Sequence, residues 1–140
     1  MTTHSIKIVW EKNRAFTTDL DGHKVTIDLS EEQGGHNKGP RPKKMMLVAA
    51  TGCTGLDVVE TLKRMRVEID DFNIHIDAEL ADTHPKQYTS MKLIYHFKGK
   101  ALSEKKIKRA VQLSFDKYCG VLTMYQQCIP VSYEVKIDNL

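Results

Sequence analysis

The 140-residue sequence has little cysteine, and its three, Cys53, Cys119 and Cys128, form no C-x-x-C pair and keep no zinc-like spacing with histidine. That argues against a secreted disulfide framework and a structural zinc site, so no metal is expected. Charge of one sign is also lacking: 21 basic residues against 18 acidic ones leave a formal charge of only +3, too small an excess to argue for a nucleic-acid partner. A basic cluster, Lys105-Lys106-Ile107-Lys108-Arg109, lies opposite an apolar stripe and has no interleaved aromatic on which bases could stack. Long apolar runs are absent as well. The longest, Met45 to Ala50, falls far short of the roughly 20 residues of a membrane span. The opening Met-Thr-Thr-His-Ser has no signal-peptide pattern, which points to a cytoplasmic home without membrane attachment. The six histidines, at 4, 23, 36, 75, 84 and 96, show no metal spacing; no Ser-His-Asp order stands out. The Gly34 to Gly39 segment matches neither a Walker A nor a G-x-G-x-x-G phosphate cradle.

What is present describes a globular chain. With 41% hydrophobic and 28% charged residues, 140 residues suit one domain over 1–140 that buries a core without disulfide staples. Ile6, Ile8 and Trp10, then Val25, Ile27 and Leu29 after the turn signal Asp21-Gly22, predict a meander of about three strands. Ser30 to Arg41 is polar and glycine-rich and reads as a mobile surface loop. From Pro42 to about Arg66, apolar and small residues recur at helical steps, and the first half is apolar on nearly every side, which predicts a helix buried all round. Two period-two strands follow, centred on Phe72–Leu80 and Met91–Phe97, joined by a short polar turn with Pro85. Ser103 caps a second helix with the apolar stripe Ile107, Ala110, Val111, Ser114, Phe115 and Tyr118, which Gly120 is placed to end. A short helical piece, Val121 to Gln127, precedes a closing strand through Ile137. The order βββ-α-ββ-α-β gives an α+β domain.

Chemistry centres on the thiols. Cys53 sits within seven small residues, Ala49 to Gly55, which let other backbone or a small ligand approach closely; two thiols bordering a confined space suggest redox work on a small molecule. A plain core cysteine is the competing reading. Cys53 is about three turns into its helix, beyond help from the N-terminal dipole, and Asp57 one turn on brings a negative charge. A cation to hold a thiolate must therefore come from elsewhere, and Arg14, Arg41, Lys43 and Lys44 are the candidates. Cys119, at the end of the second helix, and Cys128, before the last strand, leave three possible pairings that spacing alone does not rank.

The succession Gly34-Gly35, Gly39-Pro40-Arg41-Pro42, then Ala49-Ala50-Thr51-Gly52-Cys53-Thr54-Gly55-Leu56-Asp57-Val58-Val59, and later Tyr118-Cys119 before a terminal strand, resembles the OsmC/Ohr family of thiol peroxidases over essentially the whole chain. The resemblance implies an OsmC-like α+β fold with a long buried central helix, antiparallel sheets and an intertwined homodimer. It also implies Cys53 as peroxidatic nucleophile, Cys119 as resolving thiol and Arg14 as the residue that holds the thiolate, with no cofactor. The implied activity is reduction of organic hydroperoxides or hydrogen peroxide in oxidative stress defence. A dithiol reductant, a lipoylated protein or a small thiol, would restore the pair. One position departs: hydroperoxide-specialised members carry Pro-Glu near the helix start, whereas this chain has Pro42-Lys43, and lysine cannot accept the arginine's hydrogen bonds. The Cys53 segment is more similar to the OsmC-like branch than to the organic hydroperoxide resistance branch. The alternative is an OsmC-like small-molecule binding or redox-sensing protein without efficient turnover.

Overall fold

The computed structural model describes residues 1–140, which divide into two compact units, Met1–Leu47 and Val48–Leu140.

In the first unit, β1 (Ile8–Trp10), β2 (Phe16–Leu20) and β3 (His23–Ile27) form an antiparallel sheet in that order, as the alternation predicts. Asp21 and Gly22, at φ of 53° and 80°, take the two left-handed positions that a two-residue hairpin turn of matching twist requires. The 30–41 segment differs from a mobile loop, because it is tied down by a buried acid. Asp28 is 2% exposed, and its carboxylate accepts the backbone N–H groups of Leu29, His36 and Lys38 at 2.7, 3.2 and 3.1 Å. Burial pushes this carboxyl up, but the N–H donors of Lys38, Leu29 and His36 outweigh it and hold it below its ordinary value of 3.8. Glycine is needed at 35, where a Cβ would strike the Leu29 carbonyl.

In the second unit, β4 (Asp71–Leu80), β5 (Tyr88–Gly99) and β6 (Val131–Asn139) form one sheet. β4 and β5 are the predicted antiparallel pair, with Phe72 opposite Phe97 and Ile74 opposite Tyr95. β5 and β6 pair in parallel, which corrects the expectation of purely antiparallel sheets. The reason lies in the connection: α2 (Glu104–Leu113), a π turn (Ser114–Tyr118) and α3 (Gly120–Gln126) form a crossover that returns the chain in the direction it left. Ser103 caps α2 as expected, accepting the Lys106 N–H at 3.3 Å. Gly120 does not end that helix; it begins α3.

The helix α1 (Pro42–Arg64) runs from the predicted proline, and by length and composition alone it would suffice to cross a membrane. Its burial is that of a core helix covered on one face. Ala50, Thr54, Val58, Thr61 and Leu62 are buried, and Ala50, Val58 and Leu62 join a core with Leu93, Tyr95, Phe97, Ile107, Val111 and Leu122. Val48, Leu56 and Val59 stay exposed, so within one chain the helix is not enclosed on all sides. The mid-helix glycines meet no close approach that demands them: the Ile74 Cδ1 stands 3.4 Å from where a Cβ on Gly55 would be, an ordinary contact distance, and nothing lies within 4 Å of one on Gly52.

Candidate functional site

Two sulfurs and one carboxylate meet in the second unit. Cys53 and Asp57 are spaced i and i+4 on α1, so both side chains emerge from the same helix face. Cys119 arrives through a defect in the second helix. At Ser114 the hydrogen bonding slips from the α to the π pattern, and the Cys119 N–H donates to the Ser114 carbonyl at 2.9 Å, five residues back. Cys119 itself is extended (φ −77°, ψ 103°), and the chain restarts as α3 with the Leu122 N–H donating to Cys119 Sγ at 3.4 Å. The thiol is thereby turned into the core, where Cys119 has no exposed surface, while Cys53 remains half-buried. The two sulfurs and an Asp57 carboxylate oxygen all lie within 4.8 Å of one another.

A chain of hydroxyls supports the carboxylate. Ser114 Oγ donates to Asp57 Oδ2 at 3.1 Å, Thr54 Oγ1 lies 2.7 Å from Ser114 Oγ, and Tyr95 OH lies 2.8 Å from Thr54 Oγ1. With Ser114 donating to Asp57, the other protons of the row run the same way, from Tyr95 to Thr54 and from Thr54 to Ser114. The three hydroxyl residues are fully buried, and pairing of this kind offsets the cost of placing their polar groups in the core.

Two protons are held firmly in this environment. Burial, with Cys53 alongside, pushes the Cys119 thiol up to about 11 against the opposing N–H groups of Leu122 and Val121. At neutral pH Cys119 is a thiol. Burial also lifts Tyr95 to about 12, with Cys119, Tyr133 and Asp57 adding to the rise and the Thr54 hydrogen bond opposing it. Tyr95 therefore stays a donor.

Of the residues expected from sequence to carry chemistry, the structure brings Cys53 and Cys119 together. Cys128 is exposed on the turn after α3, outside this group. Arg14 belongs to the first unit, in the turn between β1 and β2. It is exposed, and its Nε lies 3.7 Å from where a Cβ on Gly34 would stand; the neighbouring Asn13 side chain donates to the Gly34 carbonyl at 2.8 Å. The histidines on polar strand faces are engaged at the surface, His75 with Asp77 at 2.9 Å and His96 with Asp138 at 2.8 Å. Members of the basic cluster are likewise partnered: Lys108 with Glu104 at 2.6 Å, Arg109 with Gln112 at 3.2 Å, and Lys106 with the Met65 carbonyl at 3.3 Å. Sequence reasoning missed Thr54, Ser114 and Tyr95 as a connected group. The available signal was a hydroxyl on the buried stripe of each helix.

The sequence model of the OsmC-like protein family matches residues 35–134. The chain is 30% identical over 132 residues to Protein YhfA of Escherichia coli K12, covering 92% of this chain and 96% of that protein. Among solved structures, a hypothetical protein from Aquifex aeolicus VF5 superposes with a TM-score of 0.83 at 29% identity, covering 99% of this chain and all of the other. An organic hydroperoxide resistance protein OsmC from Legionella pneumophila shares the fold, with a TM-score of 0.70 at 17% identity over 97% of this chain and 98% of its own.

Proposed function

Because this chain belongs to the OsmC-like protein family, we propose that it is a thiol-dependent peroxidase acting on organic hydroperoxides or hydrogen peroxide in oxidative stress defence, with Cys53 as nucleophile and Cys119 as resolving thiol. The observation that carries the reading is the juxtaposition of a half-buried and a fully buried sulfur within 4.8 Å, on elements far apart in sequence. A core that merely needed small apolar side chains has no reason to pair them.

In the proposed reaction the Cys53 thiolate attacks one peroxide oxygen, the O–O bond breaks, and the departing alkoxide takes a proton to leave as alcohol, or as water from hydrogen peroxide. Cys53 is left as sulfenic acid. Cys119 then attacks the Cys53 sulfur; the S–S bond forms as the S–O bond breaks, and the thiol proton of Cys119 leaves with the hydroxide as water. A dithiol of the lipoyl or small-thiol class reduces the disulfide by exchange. Arg14 is proposed to hold the Cys53 thiolate, supplying the cation that a position three turns into a helix does not receive from the dipole. Val48, Leu56 and Val59 on one unit and Ile8, Val9 and Trp10 on the other are exposed apolar side chains, and they support a homodimer in which a second copy covers them. A cytoplasmic location, where thiols are kept reduced between turnovers, fits this chemistry.

The test is peroxide consumption coupled to a dithiol. Cys53→Ser should abolish turnover, and Cys119→Ser should stop at a sulfenic acid without disulfide; unaltered rates in both variants would refute the scheme. A second reading, a family member that binds a small molecule or senses oxidation without efficient turnover, is favoured by Lys43 standing in place of glutamate. Under that reading Cys53 would be oxidised once but not cycled.

A further inference from the structure

The structure assigns a soft-metal site to the same corner of the second unit: we propose that the reduced protein binds one thiophilic divalent cation, of the zinc and cadmium class, through Cys53 Sγ, Cys119 Sγ and an Asp57 carboxylate oxygen. The geometry requires little adjustment. Three atoms that lie pairwise within 4.8 Å always leave a point within about 2.8 Å of all three, and zinc binds thiolate at about 2.3 Å and carboxylate oxygen at about 2.0–2.2 Å. An inward shift of about 0.5 Å by each sulfur and of about 0.6–0.8 Å by the carboxylate oxygen reaches bonding distance. Two of the donors, Cys53 and Asp57, are an i, i+4 pair on one rigid helix, so most of the ordering needed to ligate a metal is already done.

Two further contacts mark the donors as ligands rather than chance neighbours. A ligating carboxylate works best when its orientation is fixed by a hydrogen bond, and Asp57 receives one from Ser114 at 3.1 Å, itself backed by Thr54 and Tyr95. A ligating sulfur is stabilised as thiolate by N–H donors, and Leu122 N–H donates to Cys119 Sγ at 3.4 Å. The donor chemistry selects the cation: two thiolates favour zinc or cadmium over magnesium or calcium, which take all-oxygen shells. Three protein ligands leave a fourth position for water or an exogenous ligand. Binding requires both thiols to lose their protons, so metal uptake releases protons to solvent. It is exclusive of the disulfide, since the same sulfur lone pairs cannot serve both. The site stands whether or not the thiols turn over peroxide.

The experiment titrates cadmium ion alone into the full-length protein, fully reduced and freed of reductant, and follows the thiolate-to-cadmium charge-transfer absorbance together with the count of thiols open to alkylation. We expect saturation at one cation per chain, protection of the half-buried Cys53 but not of the exposed Cys128 from alkylation, and no displacement by excess magnesium. Asp57→Asn should weaken binding by at least roughly tenfold, and Ser114→Ala by about tenfold through the freed carboxylate. Disulfide-oxidised protein should show no charge-transfer band. Equal affinity in wild type and Asp57→Asn would overturn the assignment, as would stoichiometric binding retained when both Cys53 and Cys119 are serine, or no band in the reduced wild type. Asp57 is only half-buried, so its asparagine variant keeps the test decisive should serine at the core position 119 impair folding.

Discussion

The Ser114 hydroxyl donates to the Asp57 carboxylate at 3.1 Å, joining the helix that carries Cys53 to the π turn that delivers Cys119. This bond is the terminus of a row of hydroxyls whose proton directions it dictates, so its removal has effects beyond one contact.

Ser114→Ala removes the acceptor of Thr54 and the donor to Asp57 at once. It should destabilise the protein by about 1–3 kcal/mol, because a buried hydroxyl is left without its partner. Tyr95→Phe removes only the outer donor and should cost about 1 kcal/mol. In a double-mutant cycle measured by urea unfolding, the two should couple by roughly 0.5 kcal/mol or more; strict additivity would mean the row does not act as a unit.

The raised Cys119 thiol sets an alkaline limit. Its ordinary value is 9.0 and its folded value about 11, so between these the unfolded chain loses a proton that the folded chain keeps. The stability contributed by this group is therefore fully present below about pH 9 and lost as pH rises through about 11. Tyr95, lifted to about 12, extends the decline. Urea midpoints measured from pH 8 upward should fall, and Cys119→Ser should flatten the lower part of the fall; a curve unchanged by the substitution would contradict the assignment.

Asp28 sets the opposite limit. Its carboxyl is held below 3.8, so its contribution is present above that ordinary value and lost as pH falls through the lower folded one. Asp28→Ala leaves the N–H groups of Leu29, His36 and Lys38 without this acceptor and should cost about 1–3 kcal/mol, with faster proteolysis confined to residues 30–41. Limited proteolysis with mass spectrometry reads this directly.

Lys43 and Arg14 carry the test of reactivity. If Arg14 holds the Cys53 thiolate, Arg14→Ala should slow the single-turnover reaction with an organic hydroperoxide by roughly tenfold or more, since a charge-assisted hydrogen bond is lost. Lys43→Glu, which supplies a carboxylate able to accept the arginine's hydrogen bonds, should accelerate it. Stopped-flow oxidation of both variants decides the point: no change in either removes Arg14 from the mechanism.

Much of this protein was legible in its residues. Periods of two and about 3.6 marked the strands and helices because a one-sided core imposes them, Asp21-Gly22 marked its turn because only certain residues take positive φ, and Ser103 marked a cap. The two cysteines of the site were picked out by the resemblance of their surrounding motifs to a family, not by their spacing. Tertiary structure alone decided three things. The parallel pairing of β6 depends on how a crossover returns, which local periodicity does not encode. The anchoring of residues 30–41 depends on one buried carboxylate reaching backbone groups up to ten residues away. The union of Cys53, Asp57 and Cys119 depends on a π slip at Ser114 that redirects one side chain into the core; hydrogen-bond register and through-space proximity arise only when helix packs on helix, and a linear pattern carries neither.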